Sequence, residues 1–322
     1  MVTINSAQGE TFSNNQTKLC IYSYNSRGFS AEKQNFCYKL FDNTGDYLPI
    51  LCNQENFLYK SCRYKVQQAL PNAFIYFKEA HKKLGLSGGR PQNGMFIAID
   101  KSLKNLTTNI SPQRWRVQAI KIKFEDTSLL IVNTYFPSDD QTLNFDAYVL
   151  NEVLEEISAI IMNHSFDHLL LVGDLNTDFL RRSGHVQVVS DFVSNLSLIW
   201  SWDKFHADFS HVHEINGVTS WSLIDHFVWK TTLNNQVGEC GSLHLVDNNS
   251  DHCPIFCKLT INCAHAGPTK PDFPPLSSKP SWKLASADER EFFVNILDDN
   301  LEMIEPPAFS CEDVHCKKSY PY

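Results

Sequence analysis

The sequence is 322 residues long, 43% hydrophobic and 20% charged, which excludes a disordered chain and allows one large domain with an extension. A net charge of −8 excludes a uniformly basic nucleic-acid coat, and ten cysteines, among them Cys20, Cys52 and Cys257 within apolar runs, argue against a disulfide scaffold and for a reducing compartment. No stretch approaches the roughly 18 apolar residues of a membrane span, and the first five residues lack the basic start of a secretory signal, so the chain is expected to be soluble and intracellular with no membrane partner.

Residues 1–17 read as an N-terminal extension. An apolar, β-rich run at 19–24 predicts the first strand, 32–40 a helix, and 48–52 and 95–99 further strands. Strands follow at 117–122, 129–135 and 169–172, with a helix at 146–162 whose Leu150, Val153, Leu154, Ile157 and Ile161 recur at spacings of three and four. A helix at 186–196 and a strand at 255–261 complete the set. Neither strict strand–helix alternation nor a helix-free run appears, so a mixed α/β architecture is expected. From residue 263 the texture changes. Prolines at 268, 271, 274, 275 and 280 make 263–285 a stiff linker, and Ser286-Ala287-Asp288-Glu289 is a capping box ahead of a short helical segment within 286–322. That tail carries 6 Lys and Arg against 10 Asp and Glu, half of the acidic excess. Any contact with nucleic acid then needs a local basic lip; Lys101 and Lys104, Arg114 and Arg116, and Arg181 and Arg182 are candidates, with ordinary solvated faces as the equal alternative.

Six polar motifs fall at predicted strand ends, where a sheet holds side chains rigidly beside loops. They are Tyr24-Asn25-Ser26-Arg27-Gly28, Asn53-Gln54-Glu55-Asn56, Asn133-Thr134-Tyr135-Phe136-Pro137, Gly173-Asp174-Leu175-Asn176, Ser222-Leu223-Ile224-Asp225-His226 and Ser250-Asp251-His252. Each alone reads equally as a turn or a cap. Together they offer carboxylates at Glu55, Asp174, Asp225 and Asp251, amides at Asn25 and Asn176, the phenol of Tyr135 and the imidazole of His252. An oxygen-rich, thiolate-free set suits Mg²⁺ or Mn²⁺ better than zinc.

In this order and spacing the motifs resemble the endonuclease/exonuclease/phosphatase superfamily that contains apurinic endonucleases, over residues 18–262. The resemblance implies a four-layer α/β/β/α sandwich, DNase I-like, of two mixed sheets flanked by helices, with a metal-dependent phosphodiesterase site at one end. It also implies roles. Glu55 would be the main metal ligand and Asp251 a second, with Asn25 nearby. Asp174 would align or deprotonate the attacking water, and Asn176 would hold that water or a phosphate oxygen. His252, oriented by Asp225, would contact the scissile phosphate, and Tyr135 the phosphate or leaving group. Ser222 and Ser250 join Asn25, Tyr135, Asn176 and His252 as implied substrate contacts. Some relatives carry an acid where this chain has Arg27, and many carry Asn where it has Ser138, so one metal contact and one phosphate contact are expected to differ. His226, one residue after Asp225, should point to the opposite face of its strand and serve structure. Trp115, Trp200, Trp202, Trp221 and Trp229 are expected to be mostly core, with a base-stacking wedge as the alternative.

The wording around Leu51-Cys52-Asn53-Gln54-Glu55-Asn56-Phe57 and Ser220-Trp221-Ser222-Leu223-Ile224-Asp225-His226-Phe227 is similar to endonuclease modules of invertebrate non-LTR (LINE-type) retrotransposons. That likeness implies nicking of double-stranded DNA to leave a 3′-hydroxyl for priming, a nuclear location, and residues 263–322 as the start of a connector to a reverse transcriptase absent from this chain. An abasic-site repair nuclease, or a noncatalytic relic that only binds DNA or protein, remain alternatives.

Overall fold

The computed structural model describes residues 16–81, 91–139, 147–206 and 208–262. In chain order the elements are β1 (Gln16–Asn25), α1 (Ala31–Asp42), β2 (Leu48–Gln54), α2 (Arg63–Ala69), β3 (Ala73–His81), β4 (Gln92–Asp100), β5 (Thr107–Asn109), β6 (Val117–Lys123), β7 (Ser128–Tyr135), α3 (Tyr148–Asn163), β8 (His168–Asp174), α4 (Gly184–Asn195), β9 (Leu198–Trp200), β10 (His211–Ile215), β11 (Val218–Ser222), β12 (Asp225–Lys230), β13 (Val237–Ser242) and β14 (Ile255–Asn262). They form two six-stranded sheets, ordered β13-β14-β1-β2-β4-β3 and β5-β6-β7-β8-β12-β9, and a separate hairpin of β10 and β11.

Successive strand side chains point to opposite faces, and here both faces are buried. Leu19, Ile21, Ile50, Cys52, Ile97 and Ile99 of the first sheet meet Ile120, Ile122, Leu129, Ile131, Leu170 and Val172 of the second in one core. The alternate residues face outward to helices. Cys20, Tyr22, Leu51 and Phe96 pack with Phe36, Cys37 and Leu40 of α1 and Val66 of α2. Val117, Leu130, Val132 and Leu171 pack with Leu150, Val153, Leu154 and Ile157 of α3 and Val189 and Val193 of α4. The result is helix, sheet, sheet, helix: the four-layer α/β sandwich expected.

Each sheet has one parallel pair at its centre, β1 with β2 and β7 with β8, and antiparallel neighbours elsewhere. Parallel neighbours need a crossover, and α1 and α3 supply it. The C-terminal ends of all four parallel strands, with Asn25 opposite Gln54 and Tyr135 opposite Asp174, therefore lie at one edge. Antiparallel β12 starts there, Asp225 facing Asp174, and β14 is entered from the same side, Ile255 facing Ser23.

The seven expected strands correspond to β1, β2, β4, β6, β7, β8 and β14, and the three expected helices to α1, α3 and α4. β1 starts at Gln16, two residues before the expected domain start. Strands β3, β5 and β9 to β13 went unread, as did the short α2, which buries only Val66. The linker and helical segment expected at 263–322 lie outside the described residues. Among the described residues, no helix is long and apolar enough to cross a membrane.

Candidate active site

Three non-glycine residues at the site edge adopt left-handed backbone: Arg27 (φ 43°), Glu55 (φ 51°) and Asn176 (φ 47°). Such residues cost free energy that surrounding structure must offset, and they cluster where side chains are aimed for function. The turns are tied together, since Gly28 N donates to Glu55 O (2.7 Å) and Ser26 N to Gln54 O (3.1 Å). Gly173 has no room for a side chain: a Cβ would lie 1.9 Å from Thr134 O on the adjacent strand. That close approach sets Asp174 beside Tyr135.

The centre is a relay of polar side chains. Asn25 Nδ2 donates to both Glu55 Oε2 (3.0 Å) and Asp174 Oδ2 (2.9 Å). Asn25 Oδ1 accepts from Arg27 N (3.1 Å), which fixes the amide with its N–H side toward the carboxylates. Asn25 thus reaches Glu55 and Asp174 through its N–H group, while its carbonyl oxygen accepts from Arg27 N. Asn176 N donates to Asp174 Oδ1 (2.9 Å), and Asn176 Nδ2 to Phe136 O (2.9 Å). His252 lies between two acids, with Nδ1 2.8 Å from Asp225 Oδ2 and Nε2 3.8 Å from Asp174 Oδ2. Ser250 Oγ donates to Asn25 O (2.8 Å), joining the last motif to the first. Below, Gln54 Nε2 donates to Asn133 Oδ1 (2.6 Å) and Asn133 Nδ2 to Asn53 O (3.2 Å), a bridge between the two sheets.

Burial raises Asp174 to about 7, opposed by His252 and reinforced by Asp225. For His252 burial works against the charge, yet Asp225 and Asp174 prevail and raise it to about 9. At neutral pH the imidazole is a cation. Burial first, then Glu55 and Asp174, push the Tyr135 phenol up, so it stays a proton donor. Asp251 moves below the usual carboxylate range: burial opposes this, but the nearby His211 imidazole and the charges of His252 and Arg27 outweigh it.

Asp251 forms an ion pair with Arg27. His211 approaches the same carboxylate, its Nε2 3.7 Å from Asp251 Oδ2, while its Nδ1 lies 3.2 Å from Ser222 Oγ. Ser222 is thus placed behind His211 rather than in the relay. The ligand atoms of His211, Asp251 and His252 fall within 4.8 Å of one another, as do those of Asp174, Asp225 and His252. In the second group Asp225 Oδ2 meets His252 Nδ1 while the buried Asp225 Oδ1 has no hydrogen-bond partner, and the carboxylates of Glu55 and Asp251 add further oxygen donors to the site. This fits a hard divalent ion.

Of the candidate basic lip, Arg116 meets the site, its guanidinium 4.9 Å from the Tyr135 ring centre. Arg114 instead pairs with Glu152 (3.1 Å) and Glu156 (3.6 Å), Arg181 with Asp178 (3.3 Å), and Lys104 lies over Phe74. His226 turns to the opposite face, where Nε2 lies 2.7 Å from Thr177 O among Phe179, Trp200 and Trp202. Trp200 and Trp229 are buried, whereas Trp115 and Trp221 are exposed. Trp221, with Phe179, Leu180, Trp202 and Phe209, walls a cavity of about 660 Å³ that reaches Ser222. Sequence reading missed His211 and the Gln54–Asn133 bridge. His211 stands in a strand with no apolar alternation, and the bridge exists only once the sheets are stacked.

No protein-family model and no curated protein matches the chain. Solved structures do. The AP endonuclease LMAP from Leishmania major is similar with a TM-score of 0.58 and 15% identity, over 76% of this chain and 88% of its own. The endonuclease domain of TRAS1, a telomere-specific non-LTR retrotransposon, is similar with a TM-score of 0.55 and 12% identity, over 75% and 98%. A 3′ phosphatase, NExo from Neisseria, bound to a product DNA hairpin, gives a TM-score of 0.55 and 16% identity, over 75% and 99%. The chain therefore shares the four-layer, DNase I-like fold of these structures.

Proposed function

We propose that this chain is a divalent-metal-dependent phosphodiesterase that nicks duplex DNA and leaves a 3′-hydroxyl. The observation that carries the reading is the relay from half-buried Glu55 through buried Asn25, Asp174, His252 and Asp225 at the edge where both parallel strand pairs end. Glu55 and Asp251 would hold the metal, Mg²⁺ or Mn²⁺, and it would supply positive charge where negative charge develops at phosphorus. Asp174 takes a proton from the attacking water, held in position by Asn25 and Asn176 N–H. His252, kept cationic by Asp225, binds a non-bridging phosphate oxygen. Tyr135, with Arg116 over its ring, donates to the phosphate or the departing O3′, whose bond to phosphorus breaks as the water oxygen bonds. The likeness to the TRAS1 domain supports the finer reading, in which the 3′-hydroxyl primes a reverse transcriptase, residues 18–262 being the catalytic domain and 263–322 a connector.

Supercoiled plasmid in Mg²⁺ tests this. Open circles should form, vanish with chelator, and fall by about 10²–10³ in rate for Glu55→Ala and for His252→Ala. A folded wild type that leaves plasmid intact in Mg²⁺ and Mn²⁺, and abasic duplex as well, refutes it.

A further inference from the structure

Arg27 stands two residues after Asn25, in a turn both of whose sides are pinned. Its own N–H donates to Asn25 Oδ1 (3.1 Å), its carbonyl accepts from Lys33 Nζ (3.1 Å), and the next residue's N–H donates to Glu55 O (2.7 Å). Its left-handed backbone is one that residues with side chains rarely adopt, and the turn already has Gly28 at the following position. The turn's geometry alone does not ask for arginine. What the strain achieves is direction: the guanidinium is carried onto Asp251 and into the field of Glu55 and Tyr135. Asp251 and Glu55 are the oxygen donors the proposed metal needs.

Two cations cannot share one carboxylate without cost. A guanidinium on Asp251 occupies lone pairs that a divalent ion would use and adds repulsion at short range. A DNA phosphate changes that balance, because it offers Arg27 a second oxygen pair suited to its planar fork. Resting on the nuclease reading above, we propose that Arg27 is a built-in cation of the active site that holds Asp251 until a nucleic-acid phosphate draws it away, so that divalent metal binds weakly to the free protein and more tightly once the backbone of a duplex is in place. By linkage the metal must tighten DNA binding by the same factor. Arg27 is thus a positioning residue that couples the two ligands.

The test is Mn²⁺ binding by the full-length protein, followed by electron paramagnetic resonance of free Mn²⁺, with and without a phosphorothioate duplex that resists cleavage. Arg27→Gln should bind Mn²⁺ about tenfold more tightly than wild type without DNA, and gain little when duplex is added. Arg27→Gly, which suits the left-handed turn, should behave alike, and Arg27→Lys should stay near wild type. Adding Asp251→Asn to the wild type and to the Arg27→Gln variant should erase the difference between them. Equal or weaker Mn²⁺ binding by Arg27→Gln and Arg27→Gly overturns the role of Arg27 alone, provided Glu55→Ala weakens binding in wild type. Mn²⁺ affinity indifferent to Glu55→Ala overturns both this inference and the metal site it rests on.

Discussion

His226 shows how neighbouring residues divide labour. Asp225 before it holds His252, while His226 itself is buried against Thr177 O and three aromatic rings, and burial lowers it to about 4. An unfolded histidine titrates near about 6.5. Between these values the unfolded chain takes up a proton that the fold refuses, so the contribution of His226 to stability should be constant above about pH 6.5 and fall as pH drops toward about 4, by up to about 3 kcal/mol. Urea unfolding at pH 7 and 4.5 checks this: His226→Gln should lose less stability between the two than wild type does, and an identical change in both proteins refutes it. Gly173→Ala makes a second case at this scale, since its Cβ would meet a neighbouring strand's carbonyl oxygen. A loss of about 3 kcal/mol or more is expected in the same assay. Glu55 and Asp174 stood out as candidates because they lie where apolar runs stop, and His252 because it lies just before one starts, whereas Asp225 was visible only through the motif resemblance. The opposing charge on Asp251 could not, because Arg27 reaches it only across the folded edge.

Strands buried on both faces are uninterrupted apolar runs, and those were legible: β1, β2, β4, β6, β7, β8 and β14 all sit within the sheets rather than at their margins. The unread strands lie at margins or carry other patterns. β3 turns polar at Lys78-Glu79, β13 carries Gly238 and Gly241, and β10 and β11 form a largely exposed hairpin. β12 was visible only through its acid, being a short run between two motifs. The bridge from Gln54 on β2 to Asn133 on β7 belongs to this scale too. Asn133 is fully buried, and replacing it by Leu removes both its short bond from Gln54 Nε2 and its bond to Asn53 O. Asn133→Leu should cost about 1–3 kcal/mol in thermal or urea unfolding and lower nicking by moving Glu55, which follows Gln54 directly. Unaltered stability would mean the sheets are registered by apolar packing alone.

The whole described unit closes on itself. β14, among the last residues described, inserts between β13 and β1, so the first sheet is incomplete until residue 262 is in place. A fragment of residues 16–262 should therefore unfold in a single transition and keep metal-dependent nicking, while one ending at 236, before β13, should not fold; circular dichroism of both fragments decides. A mixed α/β architecture was legible from the strand and helix patterns, and its four layers from the motif resemblance alone. The hairpin of β10 and β11 and the aromatic cavity were not, since each depends on loops brought together from distant stretches.

Gln16 pairs with Asn262 in register, and their side chains meet at 3.1 Å. The polypeptide thus enters and leaves this unit at a single spot, on adjacent strands and away from the edge that carries the relay. A unit with such a doorway can be spliced into a host chain, or rejoined by a short loop and reopened elsewhere, without disturbing the strands that hold its acids.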